Sequence, residues 1–202
     1  MKTIFEFDYK KATQAINYLA IQAGGQIDKL KLIKLVYLAE RYHLRRHGRP
    51  IFNDTYYAMP LGPVASSVKD IAEFSDFLAD EEKNYAEAAL QKGTQPHSIL
   101  SLAEVDTDVF SDSELEALDF AFSEFGNYTP FQLVDITHIY PEWKQFEAVL
   151  NSKETTREVM SYADFFKNPE PGSEDKFALR EDILAASQAM FEEECSIAQR
   201  WK

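Results

Sequence analysis

A single cysteine, Cys195, is all the thiol chemistry in this chain of 202 residues. No intramolecular disulfide can form, and the expected compartment is a reducing cytosol. Glycine is almost as scarce. The seven present yield no phosphate-cradling loop and no dinucleotide fingerprint. No serine sits in a nucleophile elbow. Nowhere do about 18 apolar residues run together, so no membrane-spanning helix and no membrane partner are expected. The opening Met1-Lys2-Thr3-Ile4-Phe5-Glu6-Phe7-Asp8 meets acidic residues before the apolar core of a signal peptide develops. Positive charge is also short: 21 Lys and Arg face 34 Asp and Glu, for a net charge of -13. A field of that sign repels phosphate backbones, so nucleic acid is not an expected partner on charge alone.

What is present is the material of an ordinary folded core, 45% apolar and 13% aromatic. The length suits one large domain, or one domain with an appendage. Helical spacing dominates. Asp8 is a good N-cap for a first helix carrying Ala12, Ile16, Leu19 and Ala23, and Gly24-Gly25 stops it. Asp28 caps a second helix running to about His47, with apolar residues on too wide an arc for a helix buried on one face. It is expected to be central. Thr55 to Met59 reads as a short strand, and Ser98 to Leu102 as a second strand that could pair with it. Pro60-Leu61-Gly62-Pro63 makes a rigid corner, with Pro63 placed to open the next helix. Ser111 with Glu114, and Thr129-Pro130 with Gln132, mark two more helix starts. After the linker-like Asn168-Pro169-Glu170-Pro171-Gly172-Ser173 comes a last helix with apolar pairs every seven residues: Ile183/Leu184, Met190/Phe191 and Ile197/Ala198. Such a stripe docks on its own core or meets a partner helix.

Candidate chemistry is thin. Glu40, His43 and His47 share one helix, and two histidines four apart can hold a metal ion. A zinc-protease helix needs glutamate directly after the first histidine, however, and Leu44 stands there among Arg41, Arg45 and Arg46. Cys195 follows Glu192-Glu193-Glu194, whose carboxylates disfavour a thiolate. His138 with Trp143 reads as a catalytic pair or as a packing pair. Seven of the basic residues but only one acidic residue, Glu40, fall between Lys29 and Arg49. That helix pairs with acidic neighbours or presents a basic patch, and a regulator using Lys31, Lys34, Arg41 and Arg45 on DNA is one reading of it. No catalytic residue, cofactor or metal is expected.

The run Leu30-Lys31-Leu32-Ile33-Lys34-Leu35-Val36-Tyr37-Leu38-Ala39-Glu40 is followed by His43, Gly48-Arg49-Pro50-Ile51, Asp54 and Ala58-Met59-Pro60-Leu61-Gly62-Pro63-Val64. Ser113-Glu114-Leu115, Thr137-His138 and Trp143 come later. Together these resemble the Panacea domain, the SocA-like antitoxin family, over roughly residues 5 to 165. The departure is Met59-Pro60-Leu61, where an aromatic residue is common ahead of the glycine. The resemblance implies a mainly helical, single multi-helix domain with a short two- or three-stranded antiparallel β element. Residues 1–167 would form it, and 168–202 would be the linker and C-terminal helix. It also implies an antitoxin that binds and neutralises a cognate protein toxin, or an adaptor that delivers the toxin to a cellular protease. On that reading the expected partner contacts are Tyr56, Tyr57, Met59, Leu61, Gly62 and Pro63 at the corner, Tyr37, Arg41 and Arg45 on the basic helix, and His138 and Trp143. The competing class is a hydrolase or metal enzyme built on Glu40, His43, His47 and His138.

Overall fold

A computed structural model describes residues 6–173 and 175–200, so the reading of Met1 to Phe5 lies outside the described residues. The helices are α1 (Tyr9–Gln22), α2 (Lys29–His47), α3 (Ser66–Glu73), α4 (Asp80–Ala89), α5 (Asp112–Phe125), α6 (Pro130–Thr137), α7 (Pro141–Lys144), α8 (Glu147–Asn151) and α9 (Glu181–Arg200). The strands are β1 (Gln26–Asp28), β2 (Tyr56–Met59), β3 (Gly62–Ala65), β4 (Leu90–Lys92), β5 (Ser98–Ser101) and β6 (Glu158–Val159). The fold is mainly α, as expected. The β element is two small antiparallel sheets, ordered β1-β5-β4 and β3-β2-β6.

Local chemistry sets the helix ends. The Asp8 carboxylate accepts the Lys11 N–H at 3.0 Å, and Asp28 accepts that of Lys31 at 3.0 Å. At Thr129 the capping box closes in both directions with Gln132. Gly48, at φ 64°, ends α2 in the left-handed conformation that glycine adopts without penalty. From Leu32 to Arg45 every residue of α2 is buried, because α1, α5, α6, α9 and the second sheet surround it. The wide apolar arc is thus the mark of a central helix. Each fully buried Leu or Val on it contributes roughly 1.5–3 kcal/mol of transfer free energy.

Two local expectations need correction. The strand at Ser98–Ser101 does not pair with Tyr56–Met59; it lies between β1 and β4, with Ile27 opposite Ile99 and Lys92 also opposite Ile99. The partner of β2 is β3, so Pro63 is a strand residue and α3 opens three positions later at Ser66. The side chain that caps α3 comes from another segment: Asp54 accepts the N–H groups of Ser67 at 3.0 Å and Val68 at 2.9 Å. At the far end, α9 docks on α2 of its own chain. Leu184, Ser187 and Phe191 are buried, and the Ser187 hydroxyl donates to the Arg46 carbonyl at 2.9 Å.

Candidate partner-binding site

The corner that joins β2 to β3 is a turn braced from beneath. In register, Met59 faces Gly62 across the two-residue turn Pro60-Leu61. Three groups from beneath hold it. The Trp143 indole N–H donates to the Met59 carbonyl at 2.9 Å, and the Lys34 ammonium donates to the Pro63 carbonyl at 2.8 Å. Gly62, at φ 93°, sits so close to Thr137 that an added Cβ would lie 2.7 Å from its hydroxyl and 3.0 Å from the Lys34 nitrogen. The His138 ring stacks on Trp143, with centroids 3.5 Å apart and planes within 4°. Lys34 from α2 and the stretch from Thr137 to Trp143, about a hundred positions later, thus meet under one turn.

The electrostatics of this base are those of a dry interior. Burial pushes the Lys34 ammonium down to about 7, with no carboxylate offsetting it. Burial, then the Lys34 charge, pushes His138 down to about 4. His138 Nε2 is buried without a hydrogen-bond partner.

Above the base, strand alternation turns Tyr56 and Ala58 inward and Tyr57 and Met59 outward. Val159 of β6 pairs directly with Tyr57, so both side chains stand on the same outer face. The Arg157 guanidinium lies over the Tyr57 ring at 5.0 Å. Leu61 at the tip is 49% exposed and Val159 is 45% exposed. The outer face is therefore an apolar patch of Tyr57, Met59, Leu61 and Val159 on a rigid root. Sequence reasoning missed Val159 and Arg157, since a strand of two residues leaves no periodic signal.

Of the expected contacts, the structure brings Tyr57, Met59 and Leu61 together at the surface, with His138 half-buried beneath. Gly62, Pro63 and Trp143 belong to the root and are buried. Tyr56, Tyr37, Arg41 and Arg45 are a correction. They have no surface to offer, because they form a polar centre inside the molecule. Arg41 pairs with Glu142, both side chains being fully buried, and the Tyr37 hydroxyl donates to the same carboxylate oxygen at 2.6 Å. The Arg41 guanidinium lies 4.1 Å from the Tyr140 ring centroid and 5.5 Å from that of Phe177. Arg45 donates to the carbonyls of Phe165 at 2.8 Å and Lys167 at 3.0 Å and to the Asn168 side chain at 2.6 Å. Burial and the adjacent Arg41 charge lower Arg45 to about 10. Two arginines read as a basic surface are thus internal clamps on the chain beyond residue 164.

Of the residues that suggested a metal, Glu40 and His43 are likewise engaged. His43 Nδ1 lies 2.8 Å from the Arg49 carbonyl and therefore carries the proton, while Nε2 lies 3.0 Å from the Ser113 hydroxyl and accepts from it. Burial holds His43 down to about 4. The Glu40 carboxyl accepts the Ile51 N–H at 2.7 Å and the Tyr162 hydroxyl at 3.1 Å, and burial raises it to about 8. Both have their polar atoms committed to fixing neighbouring segments, whereas His47 Nε2 is buried without a hydrogen-bond partner. Among the described residues no group of three or more His, Cys, Asp or Glu is arranged to hold a metal ion, and no helix is long and apolar enough to cross a membrane.

The motif residues, then, are the internal bracing of one architecture: Glu40 and His43 on the loop after α2, Asp54 on α3, Gly62 and Trp143 on the hairpin. No curated protein and no solved structure matches the chain. Residues 32–144, more than half of it, match the family described as Antitoxin SocA-like, Panacea domain. That stretch holds every brace from Lys34 to Trp143, and the chain belongs to the SocA-like Panacea antitoxin family.

Proposed function

We propose that this chain is the antitoxin of a bacterial or phage toxin–antitoxin pair, and that it neutralises its cognate protein toxin by binding it directly without catalysing a reaction. The observation that carries this reading is the hairpin: an apolar outer face whose turn is fixed from below by Trp143, Lys34 and Thr137. Apolar and aromatic anchors held rigid before contact lose little freedom on binding, which is what makes a few residues dominate an interface. The antitoxin membership supplies the class of partner. The net charge of -13 favours a basic partner surface.

Co-expression with the protein encoded next to this chain tests the proposal. The neighbour alone should arrest growth, and the pair should grow. Mixing the two purified proteins without any protease should still give a stable complex and an inactive toxin. A neighbour that is harmless on its own sinks the reading. Neutralisation that vanishes when proteases are absent replaces direct blockage with delivery for degradation.

A further inference from the structure

The apolar pairs on α9 divide cleanly between two faces. Leu184 and Phe191 turn inward, where Phe191 packs 5.8 Å from the ring centroids of Tyr162 and Phe166. Their neighbours turn outward: Ile183 is 41% exposed, Met190 49% and Ile197 46%. These three recur at intervals of seven residues, so they line one edge of the helix over roughly 21 Å at 1.5 Å per residue. The stripe cannot be excess core, because α9 is already docked through its other face. Met190 lies against the end of α2, where a Cβ on Gly48 would come within 3.0 Å of its own Cβ. The surface is therefore fixed in place.

Charge selects the occupant. Glu193 and Glu194 follow Met190 by three and four positions and precede Ile197 by four and three, so one carboxylate stands on each side of the stripe. Asp182 is already paired with Arg180, and Glu181 and Glu192 stand on other sides of the helix, where within α9 only Arg200 is basic. Two copies of this chain meeting here would bring Glu193 and Glu194 of each copy, four carboxylates, together along the seam. We infer that the Ile183–Met190–Ile197 edge of α9 is a second docking surface, and that it takes a basic amphipathic helix presented by the partner protein. This rests on the antitoxin reading for the identity of the partner and extends the contact beyond the hairpin.

The test uses the full chain and a defined probe: a peptide of leucine and lysine alone, about 18 residues or five turns long, with its leucines on one face. The variant Met190→Lys/Ile197→Lys should weaken probe binding by roughly tenfold or more. Ala185→Lys/Ala189→Lys, which adds the same charge on the far, exposed face, should change it little. Both variants should unfold at the wild-type temperature. Equal loss in the two variants, no loss in either, or no binding by the wild type overturns the inference. So does a wild-type dimer that the stripe variant dissociates. Neutralisation of the neighbouring toxin separates the two proposals. A wild type that neutralises while the stripe variant does so equally well removes the α9 surface and leaves the antitoxin reading intact. A harmless neighbour removes that reading, while the peptide result still decides the surface.

Discussion

The indole N–H of Trp143 and the carbonyl of Met59, 84 positions apart, are joined by one hydrogen bond of 2.9 Å that ties α7 to the hairpin turn. Trp143 is buried, whereas Met59 at the turn is only half-buried. Removing the donor while keeping an aromatic ring isolates this bond.

Trp143→Phe is expected to cost about 0.5–1.5 kcal/mol, the net worth of a hydrogen bond whose acceptor can regain water. Trp143→Ala should cost about 3–5 kcal/mol, since it also opens a cavity beside His138. Urea unfolding measures both. A Phe variant as stable as the wild type would show that the bond holds the turn without stabilising it.

Arg41 and Glu142 make a second case. Glu142→Gln strands a buried guanidinium and should destabilise by about 3–5 kcal/mol, whereas Arg41→Met/Glu142→Met should cost less than either single charge removal. A double-mutant cycle on denaturant midpoints reads this coupling directly.

Glu40 and Lys34 give stability two opposed slopes with pH. Glu40 is raised from 4.5 to about 8, so the folded state holds its proton more tightly; its contribution is full below pH 4.5 and lost as pH rises through 8. Lys34 is lowered from 10.5 to about 7, so between those values the unfolded state binds the extra proton and stability rises with pH. Lys34→Met should flatten the alkaline rise and Glu40→Gln the decline across pH 4.5 to 8, by on the order of a few kcal/mol each. Denaturant midpoints from pH 4 to 10 check the signs.

At the hairpin, Leu61→Glu should leave the unfolding temperature within about 2 °C of wild type, because half the side chain is already in water. It should weaken toxin binding by roughly tenfold or more if the tip is an anchor. Calorimetric titration against the purified toxin gives the answer, and unchanged affinity would move the interface away from this face.

The helices were legible because their signals are local: Asp8, Asp28 and Thr129 each cap within three residues, and the arc of α2 announces its central position. The role of Asp54 was not, since it caps a helix that begins twelve positions later. Sheet pairing failed for a similar reason. β1 has three residues and a single inward side chain, too few for a period, so nothing in Gln26-Ile27-Asp28 reveals Ser98–Ser101 as its neighbour. At the candidate site, Leu61 and Tyr57 could be picked out as apolar residues on a turn. Arg41 and Arg45 misled because charged side chains belong in water unless paired, and their partners, Glu142 and the carbonyls of 165 and 167, lie about a hundred residues downstream.

The clamps on the chain beyond residue 164 bear on how this protein can be shortened. The stretch of family similarity ends at 144, yet Arg45 in the last turn of α2 finds its acceptors at Phe165, Lys167 and Asn168, and Arg41 adds bonds to the carbonyls of Phe165 and Lys167. A chain trimmed to the matched segment would leave Arg41 its Glu142 partner but take every one of these acceptors from Arg45, and it would strip Phe177 from the aromatic rings of Phe120, Phe125 and Tyr140. Similarity marks where ancestry is readable; the packing of the core extends past that border.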